Sequence, residues 1–219
     1  MITASPAVRR TSAVGLALAA CLGTVPTATA TAAPAAPKYG AGLDRYYDQR
    51  LGWGSCAKGP GDTKGRDLDK AGVQCADVTV PLDYAAPQSR TITVAISRLK
   101  AADTRHRIGS ILLNNGGPGG TALESPPEFH ARMKETGPRY DIVGFDPRFV
   151  GRSTPLDCGW SVGTNLFSAG LSRTSFERQV TLQKDLAAKC RATNASVLPH
   201  VTTRNTARDM DVIRGALGE

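Results

Sequence analysis

The sequence is poor in aromatic residues, in long apolar runs and in closely spaced cysteines. Only 5% of its 219 residues are aromatic. Its N-terminal apolar run, residues 13–22, is shorter than the roughly 18 residues that a membrane-spanning helix needs. None of its five cysteines is spaced C-x-x-C, which argues against a zinc site. These shortages disfavour an integral membrane protein and a metal-stabilised domain.

The chain also lacks a run of basic residues, although its formal net charge is +8. Basic residues are spread from Arg45 to Arg214 and are interleaved with Asp and Glu. With so few aromatic residues, no stacking platform accompanies them. We therefore expect no nucleic-acid partner and assign the positive charge to solubility.

The first 33 residues have the composition of an export signal. Arg9 and Arg10 precede the apolar run, and Ala30 and Ala33 end two small-residue cleavage sites. The alternative is a lipobox, L-A-A-C ending at Cys21, which anchors an acylated chain on the outer face of the cell membrane. We predict a secreted protein with a signal at residues 1–33, a linker at 34–42 and one domain at 43–219. Membrane contact is expected only if Cys21 is acylated.

Four cysteines remain once Cys21 is removed or acylated. An even number in an exported chain favours disulfides. Pairing of sequence neighbours joins Cys56 with Cys75 and Cys158 with Cys190, although the sequence alone allows three pairings. Each bond would stabilise the fold by about 3 kcal/mol through loop closure.

Four segments predict strands. Residues 78–84 and 91–97 alternate in polarity around a turn-rich segment, which indicates a β-hairpin. Residues 108–113 and 140–145 are continuous apolar runs, which suit strands covered on both faces in a parallel sheet. An antiparallel hairpin followed by alternating strands and helices predicts the α/β class.

Three segments predict helices, and two predict simpler structures. Residues 125–137 have the length of a crossover helix, residues 175–192 show helical spacing, and a third helix begins at Thr206, with Asp209 in the capping-box position. The charged, glycine-containing residues 62–70 predict a solvated loop. Residues 43–53 predict a short amphipathic segment that packs on the fold.

A glycine-rich turn follows the buried strand at residues 108–113. Such a turn presents backbone N–H groups to an anion, as an oxyanion hole requires. Because Pro118 has no N–H, Gly116 or Gly117 is the predicted donor and Gly119 the second choice. Neither a Walker A lysine nor G-x-G-x-x-G spacing is present, which disfavours a phosphate loop.

Two motifs give a family resemblance. The N-G-G-P-G-G run at residues 115–120 resembles the H-G-G-P-G-G oxyanion loop of proline iminopeptidases, and residues 146–153 resemble the D-x-R-G-x-G-x-S segment that follows the next strand. Together with the export signal, they make the chain similar to secreted bacterial tripeptidyl aminopeptidases. The residues that carry the motifs are Asn115, Pro118, Asp146, Arg148, Gly151 and Ser153.

The resemblance implies the N-terminal part of an α/β-hydrolase fold, truncated before the nucleophile elbow. It also implies cleavage of peptides from free N-termini through an acyl-enzyme, with no cofactor. Asn115 replaces the motif histidine, with little expected loss because backbone groups do the work. Phe149 replaces a glycine, which predicts strain if that glycine's conformation is needed.

No convincing catalytic triad is visible in the sequence. Ser161 lies in a literal G-x-S-x-G at residues 159–163, but neither a buried strand before it nor a helix after it is predicted, as an elbow requires. The three histidines, His106, His130 and His200, are expected to be solvated. The favoured hypothesis is an N-terminal fragment of an exported serine aminopeptidase, inactive alone. The alternatives are a non-catalytic remnant that binds peptide or a partner, and a small esterase that uses Ser161.

Overall fold

The computed structural model describes residues 40, 42–160 and 168–219. The predicted export signal, Cys21, nearly all of the linker and Ser161 lie outside these residues. The described residues fall in one compact unit, Pro37–Glu219. No helix in this part of the chain is both long and apolar enough to cross a membrane.

A four-stranded mixed sheet contains all the predicted strands. Its members are β1 (Gln74–Pro81), β2 (Thr91–Leu99), β3 (Gly109–Leu113) and β4 (Tyr140–Phe145). The strand order is β1-β2-β4-β3. β1 and β2 form the antiparallel hairpin, β2 also pairs antiparallel with β4, and β3 pairs parallel with β4. The mixed α/β class predicted from the sequence is confirmed.

Five α-helices accompany this sheet in the described chain. They are α1 (Asp44–Tyr47), α2 (Thr63–Lys70), α3 (Pro126–Arg132), α4 (Arg173–Asn194) and α5 (Thr203–Ala216). α3 provides the crossover from β3 to β4, and a 3₁₀ segment, Lys134–Arg139, completes it. α4 begins after Ser172, whose hydroxyl accepts from the N–H of Ser175, and it has no buried residue.

The main core lies among the sheet, α1 and α5. Val94 and Phe145 on neighbouring strands, Val212 and Ile213 on α5, and Tyr46 on α1 are all at most 2% exposed. They belong to a single apolar cluster. The predicted packing of residues 43–53 on the fold is confirmed, since both tyrosines of α1 are buried there.

β3 differs from the expectation of a strand covered on both faces. It forms one edge of the described sheet, and only Leu113 among its five residues is buried. Ile108, just before the strand, is 53% exposed. β4 does satisfy the expectation, because it lies between β2 and β3 and its last four residues are buried.

The predicted disulfides are confirmed. Cys56 is bonded to Cys75, and Cys158 is bonded to Cys190. The first bond is buried with Leu68 in a small cluster of its own. The second joins the loop after β4 to the last part of α4.

The prediction of a solvated loop at residues 62–70 is wrong. Thr63–Lys70 is the helix α2, and the Asp62 carboxylate caps it by accepting from the N–H of Gly65 at 2.9 Å. Leu68 is buried against the first disulfide. Capping by Asp62 and burial of Leu68 stabilise this helix, although its charged, glycine-containing sequence does not predict one.

The predicted start of the last helix is also wrong. α5 is capped by Thr202, whose hydroxyl accepts from the N–H of Asn205 at 3.2 Å. Thr206 lies inside the first helical turns. Asp209 is therefore not a capping-box residue, and its buried carboxylate binds Arg148 instead.

Candidate functional site

The glycine loop, defined as residues 114–120, follows β3 and is exposed over most of its length. Gly116, Gly117 and Gly119 have φ angles of 68°, 119° and 87°, which residues with side chains rarely adopt. The N–H of Gly120 donates to the carbonyl of Gly116 at 2.7 Å. The sequence thus places glycine where the backbone turns sharply.

The N–H groups of the glycine loop differ in their availability. The N–H of Gly116 donates to the side-chain oxygen of Asn114 at 3.2 Å. Those of Gly117 and Gly119 have no hydrogen-bond partner among the described residues. Of the two donors predicted first, Gly117 is therefore the better placed to bind an anion.

Asp146 connects the glycine loop to the segment that follows β4. Its carboxylate is 2% exposed and accepts from the N–H groups of Ala122 at 3.1 Å and Leu123 at 3.4 Å. The other carboxylate oxygen accepts from the N–H of Arg152 at 2.9 Å. One buried side chain thus fixes the chain just beyond the loop.

The other small residues of this segment pack around Asp146. A Cβ on Gly151 would lie 2.2 Å from an Asp146 carboxylate oxygen, so only glycine fits there. The buried Ser153 hydroxyl donates to the Asp146 carbonyl and accepts from the N–H of Ala95 at 2.8 Å. Both residues have a structural role: Ser153 attaches the segment to β2, and Gly151 allows the backbone to approach the Asp146 carboxylate.

Phe149 adopts a left-handed backbone conformation, which favours glycine. Its φ is 67°, and its N–H donates to the carbonyl of Ser153 at 2.9 Å. The side chain is 8% exposed and packs in the main core. The predicted backbone strain is present, and burial of the ring offsets it.

Arg148 is held in a buried ion pair that sequence reasoning did not predict. Its guanidinium contacts both carboxylate oxygens of Asp209, at 2.6 and 2.7 Å, and donates to the carbonyls of Leu82 and Pro81. Burial raises the pKa of the Asp209 carboxyl, and the Arg148 guanidinium opposes that shift. Arg148 therefore joins α5 to the end of β1 and is not available to bind substrate.

None of the three histidines forms a catalytic pair among the described residues. His106 is exposed and contacts Asp103 at 2.8 Å. His130 lies in α3. The hydrogen bonds of His200 among the described residues are made by its backbone: its carbonyl oxygen accepts from Arg148 and Asn205, and its N–H donates to the carbonyl of Val197. Ser161 cannot be placed relative to them because it lies outside the described residues. No group of metal ligands is found in the described ranges either.

The chain has sequence relatives among bacterial hydrolases. It is 40% identical over 155 residues to the tripeptidyl aminopeptidase of Streptomyces coelicolor. It is 34% identical over 155 residues to the serine protease Hip1 of Mycobacterium tuberculosis. It is 32% identical over 206 residues to carboxylesterase B of the same species. The chain matches no family profile.

These alignments cover most of this chain but a minor part of each relative. They include 67%, 68% and 89% of the chain for the aminopeptidase, Hip1 and the carboxylesterase. The same alignments span 29%, 29% and 38% of the relatives. The relatives are thus much longer than the region they share with this chain.

Proposed function

Because the chain is a relative of tripeptidyl aminopeptidases and of other bacterial hydrolases, we propose that it supplies the oxyanion side of a serine peptidase active site. The substrate class is peptides with a free N-terminus. The observation that carries the proposal is the glycine loop, an exposed turn in which the N–H of Gly117 has no partner among the described residues. Asp146 holds the chain just after this turn, at Ala122.

The chemistry proceeds through an acyl-enzyme. A serine hydroxyl attacks the scissile carbonyl, a histidine takes its proton, and the carbonyl oxygen becomes an oxyanion. The N–H of Gly117 donates to that oxyanion, with Gly119 as the second choice. A preorganised donor of this kind stabilises the transition state by about 3 to 4 kcal/mol.

We place the serine, the acid and the histidine outside the described residues, on chain that continues beyond Glu219. The Glu219 carboxylate accepts from the Ser110 hydroxyl at 2.8 Å and also contacts Arg107, so α5 ends beside the beginning of β3. A strand that started there would run parallel to β3 along its free edge and end beside the glycine loop. The greater length of the relatives supports this placement. On this proposal the 219-residue chain is inactive alone.

We also propose that the protein is exported. Two disulfides in the described residues support an oxidising compartment. Cleavage after the N-terminal signal would give a secreted enzyme. Acylation of Cys21 would instead give a lipid-anchored one on the outer face of the membrane.

The test compares two chromogenic substrates that differ only at the N-terminus. A tripeptidyl p-nitroanilide with a free α-amine and its Nα-acetylated form are incubated with the longer product, the protein of this proposal in which the chain continues beyond Glu219. We expect release of p-nitroaniline from the free-amine substrate alone. Equal cleavage of both peptides would contradict an aminopeptidase. An activated ester is tested as a third substrate, and hydrolysis of this ester without cleavage of either peptide would favour an esterase. A folded, secreted product inactive on all three would favour the binding remnant.

A further inference from the structure

One side chain joins the two ends of the glycine loop, at Asn115 and Thr121, which we call its neck. The side-chain amide nitrogen of Asn115 donates to the carbonyl oxygen of Thr121 at 2.6 Å and contacts the hydroxyl oxygen of Ser125 at 2.9 Å. These partners lie six and ten residues further along the chain. The two contacts therefore span the entire turn from Gly116 to Gly120.

The other restraints on the loop act elsewhere. Asp146 holds the N–H groups of Ala122 and Leu123, beyond the turn. The hydrogen bond from Gly120 to Gly116 lies within the turn. β3, which leads into the loop, is an edge strand of the described sheet. Among the described residues, Asn115 alone uses its side chain to join the two sides of the neck.

We propose that Asn115 is a positioning residue, whose side-chain amide closes the neck of the glycine loop and thereby holds the turn at residues 116–120, which carries the N–H of Gly117. The inference rests on the proposed function, because positioning matters for catalysis only if Gly117 binds the oxyanion. It differs from the sequence expectation, in which the side chain at position 115 is of little consequence.

The contact between Asn115 and Thr121 requires a hydrogen-bond donor at position 115. The Thr121 carbonyl can only accept, so the group that faces it must carry a hydrogen. An aspartate has nearly the same shape as asparagine, but its ionised carboxylate only accepts and would repel the Thr121 oxygen. Asn115→Asp therefore removes the hydrogen bond to Thr121 with little change in volume, whereas the Ser125 hydroxyl can still donate to the new carboxylate.

A matched control is available one residue earlier. Asn114 acts through its side-chain oxygen, which accepts from the N–H of Gly116, and an aspartate at that position keeps the acceptor. Both asparagines are exposed, so neither substitution should alter global unfolding. The same chemical change is expected to open the loop at position 115 and to leave it closed at position 114.

The experiment measures hydrogen exchange of the Gly120 amide and the ¹H–¹⁵N NOE of Gly117 by NMR of the 219-residue chain. In Asn115→Asp at pH 7, we expect exchange of the Gly120 amide to be roughly tenfold faster than in the wild type, about the effect of losing one hydrogen bond. The NOE of Gly117 should fall. Asn114→Asp should match the wild type in both readouts.

A pH series separates donor loss from general loosening. Below about pH 4 the introduced carboxyl is protonated and again has a hydrogen to donate, so the Gly120 exchange rate of Asn115→Asp should return toward that of the wild type at the same pH. Glu128 and Arg132 line the same cavity as Asn115, of about 280 Å³, and pair with each other at 2.6 Å. Measuring the wild type at each pH controls for any other acid-dependent change at this site.

Three results would overturn the inference: unchanged loop amides in Asn115→Asp, an equal effect of Asn114→Asp, or no recovery at low pH. In the longer product, in which the chain continues beyond Glu219, Asn115→Asp should lower kcat by roughly tenfold or more, with KM within about a factor of two. If the loop opens as predicted but the wild-type product cleaves no tripeptidyl substrate, the proposed function fails and the hydrogen-bond assignment stands.

Discussion

At Phe149 the cost of backbone strain opposes the stability gained by burying the aromatic ring. Its positive φ costs about 1 to 2 kcal/mol for a residue with a side chain, which favours glycine. Its buried ring contributes more, since removal of a buried phenylalanine side chain costs about 3 to 5 kcal/mol. The core contribution exceeds the strain, which explains how the residue is tolerated in a motif that resembles one with glycine.

Phe149→Gly should therefore destabilise the protein, although it restores the residue of the related motif. We expect a net loss of about 2 kcal/mol in the free energy of unfolding, measured by urea denaturation. Gly61→Ala is the matched control for a surface site, because a Cβ there meets no atom within 4 Å. Equal or greater stability of Phe149→Gly would mean that the strain outweighs the packing.

The elements differ in how plainly the sequence marks them. β4 occupies Tyr140–Phe145, the segment predicted, because a continuous apolar run suits a central strand. α2 was missed because its one buried apolar side chain, Leu68, gives no helical periodicity. Its internal Gly65 is required by a tertiary contact, since a Cβ there would lie 2.6 Å from the Cys56 carbonyl oxygen. Such a reason is not visible in local sequence.

The candidate site was predictable to a similar degree. A glycine-rich turn after the strand was expected from the motif, and its glycines adopt positive φ angles that few other residues adopt. The choice between Gly116 and Gly117 depends on a hydrogen bond from Asn114, and the role of Asp146 depends on the approach of two separate segments. Contacts of this kind follow from the fold and leave no spacing signal.

Asp69, near the end of α2, should make stability depend on acid pH. Hydrogen bonds from the Ser55 hydroxyl and the Cys56 N–H hold the pKa of its carboxyl below the ordinary value. A lowered folded-state pKa gives stability that is present above the unfolded value of about 3.9 and is lost as pH falls through the folded value.

Asp69→Asn should flatten this acid dependence. We expect the variant to lose less stability than the wild type between about pH 5 and pH 3, as thermal unfolding at each pH would show. The same change at Asp67, whose carboxylate pairs with the exposed Lys70, is the control and should leave the slope as in the wild type. An unchanged slope in Asp69→Asn would contradict the assignment.

The two disulfides should differ in what they stabilise. Their sequence separations are 19 and 32 residues, so loop entropy alone favours the Cys158–Cys190 bond by about 0.5 kcal/mol. Packing reverses the order, because Cys56 is fully buried beside Leu68 whereas α4 has no buried residue. The first bond therefore belongs to the core, and the second belongs to a peripheral helix.

Replacing each pair with serines tests this difference. Loss of Cys56–Cys75 should lower the free energy of unfolding of the whole domain by about 3 kcal/mol or more. Loss of Cys158–Cys190 should speed hydrogen exchange in α4 and leave the protection of β2 and β4 unchanged. Equal effects on the sheet would mean that α4 unfolds together with the core.

At the scale of the whole molecule, β3 forms an edge of the described sheet, opposite the edge formed by β1. β3 pairs only with β4 among the described residues and carries half-buried apolar side chains. An unpaired apolar edge is prone to aggregation unless another segment covers it. The end of α5 lies at the start of this edge, where Glu219 contacts Ser110, and the glycine loop lies at its other end. A covering strand would therefore run toward the glycine loop.

The most direct test of the proposed active site is labelling with a fluorophosphonate, which reacts with activated serines, followed by mass spectrometry to locate the modified residue. The 219-residue chain and the longer product, in which the chain continues beyond Glu219, are labelled in parallel. We expect no label on the 219-residue chain and one label on the longer product, at a serine that follows Glu219. Stoichiometric labelling of the 219-residue chain at Ser161 would contradict the proposal and identify a complete, smaller hydrolase.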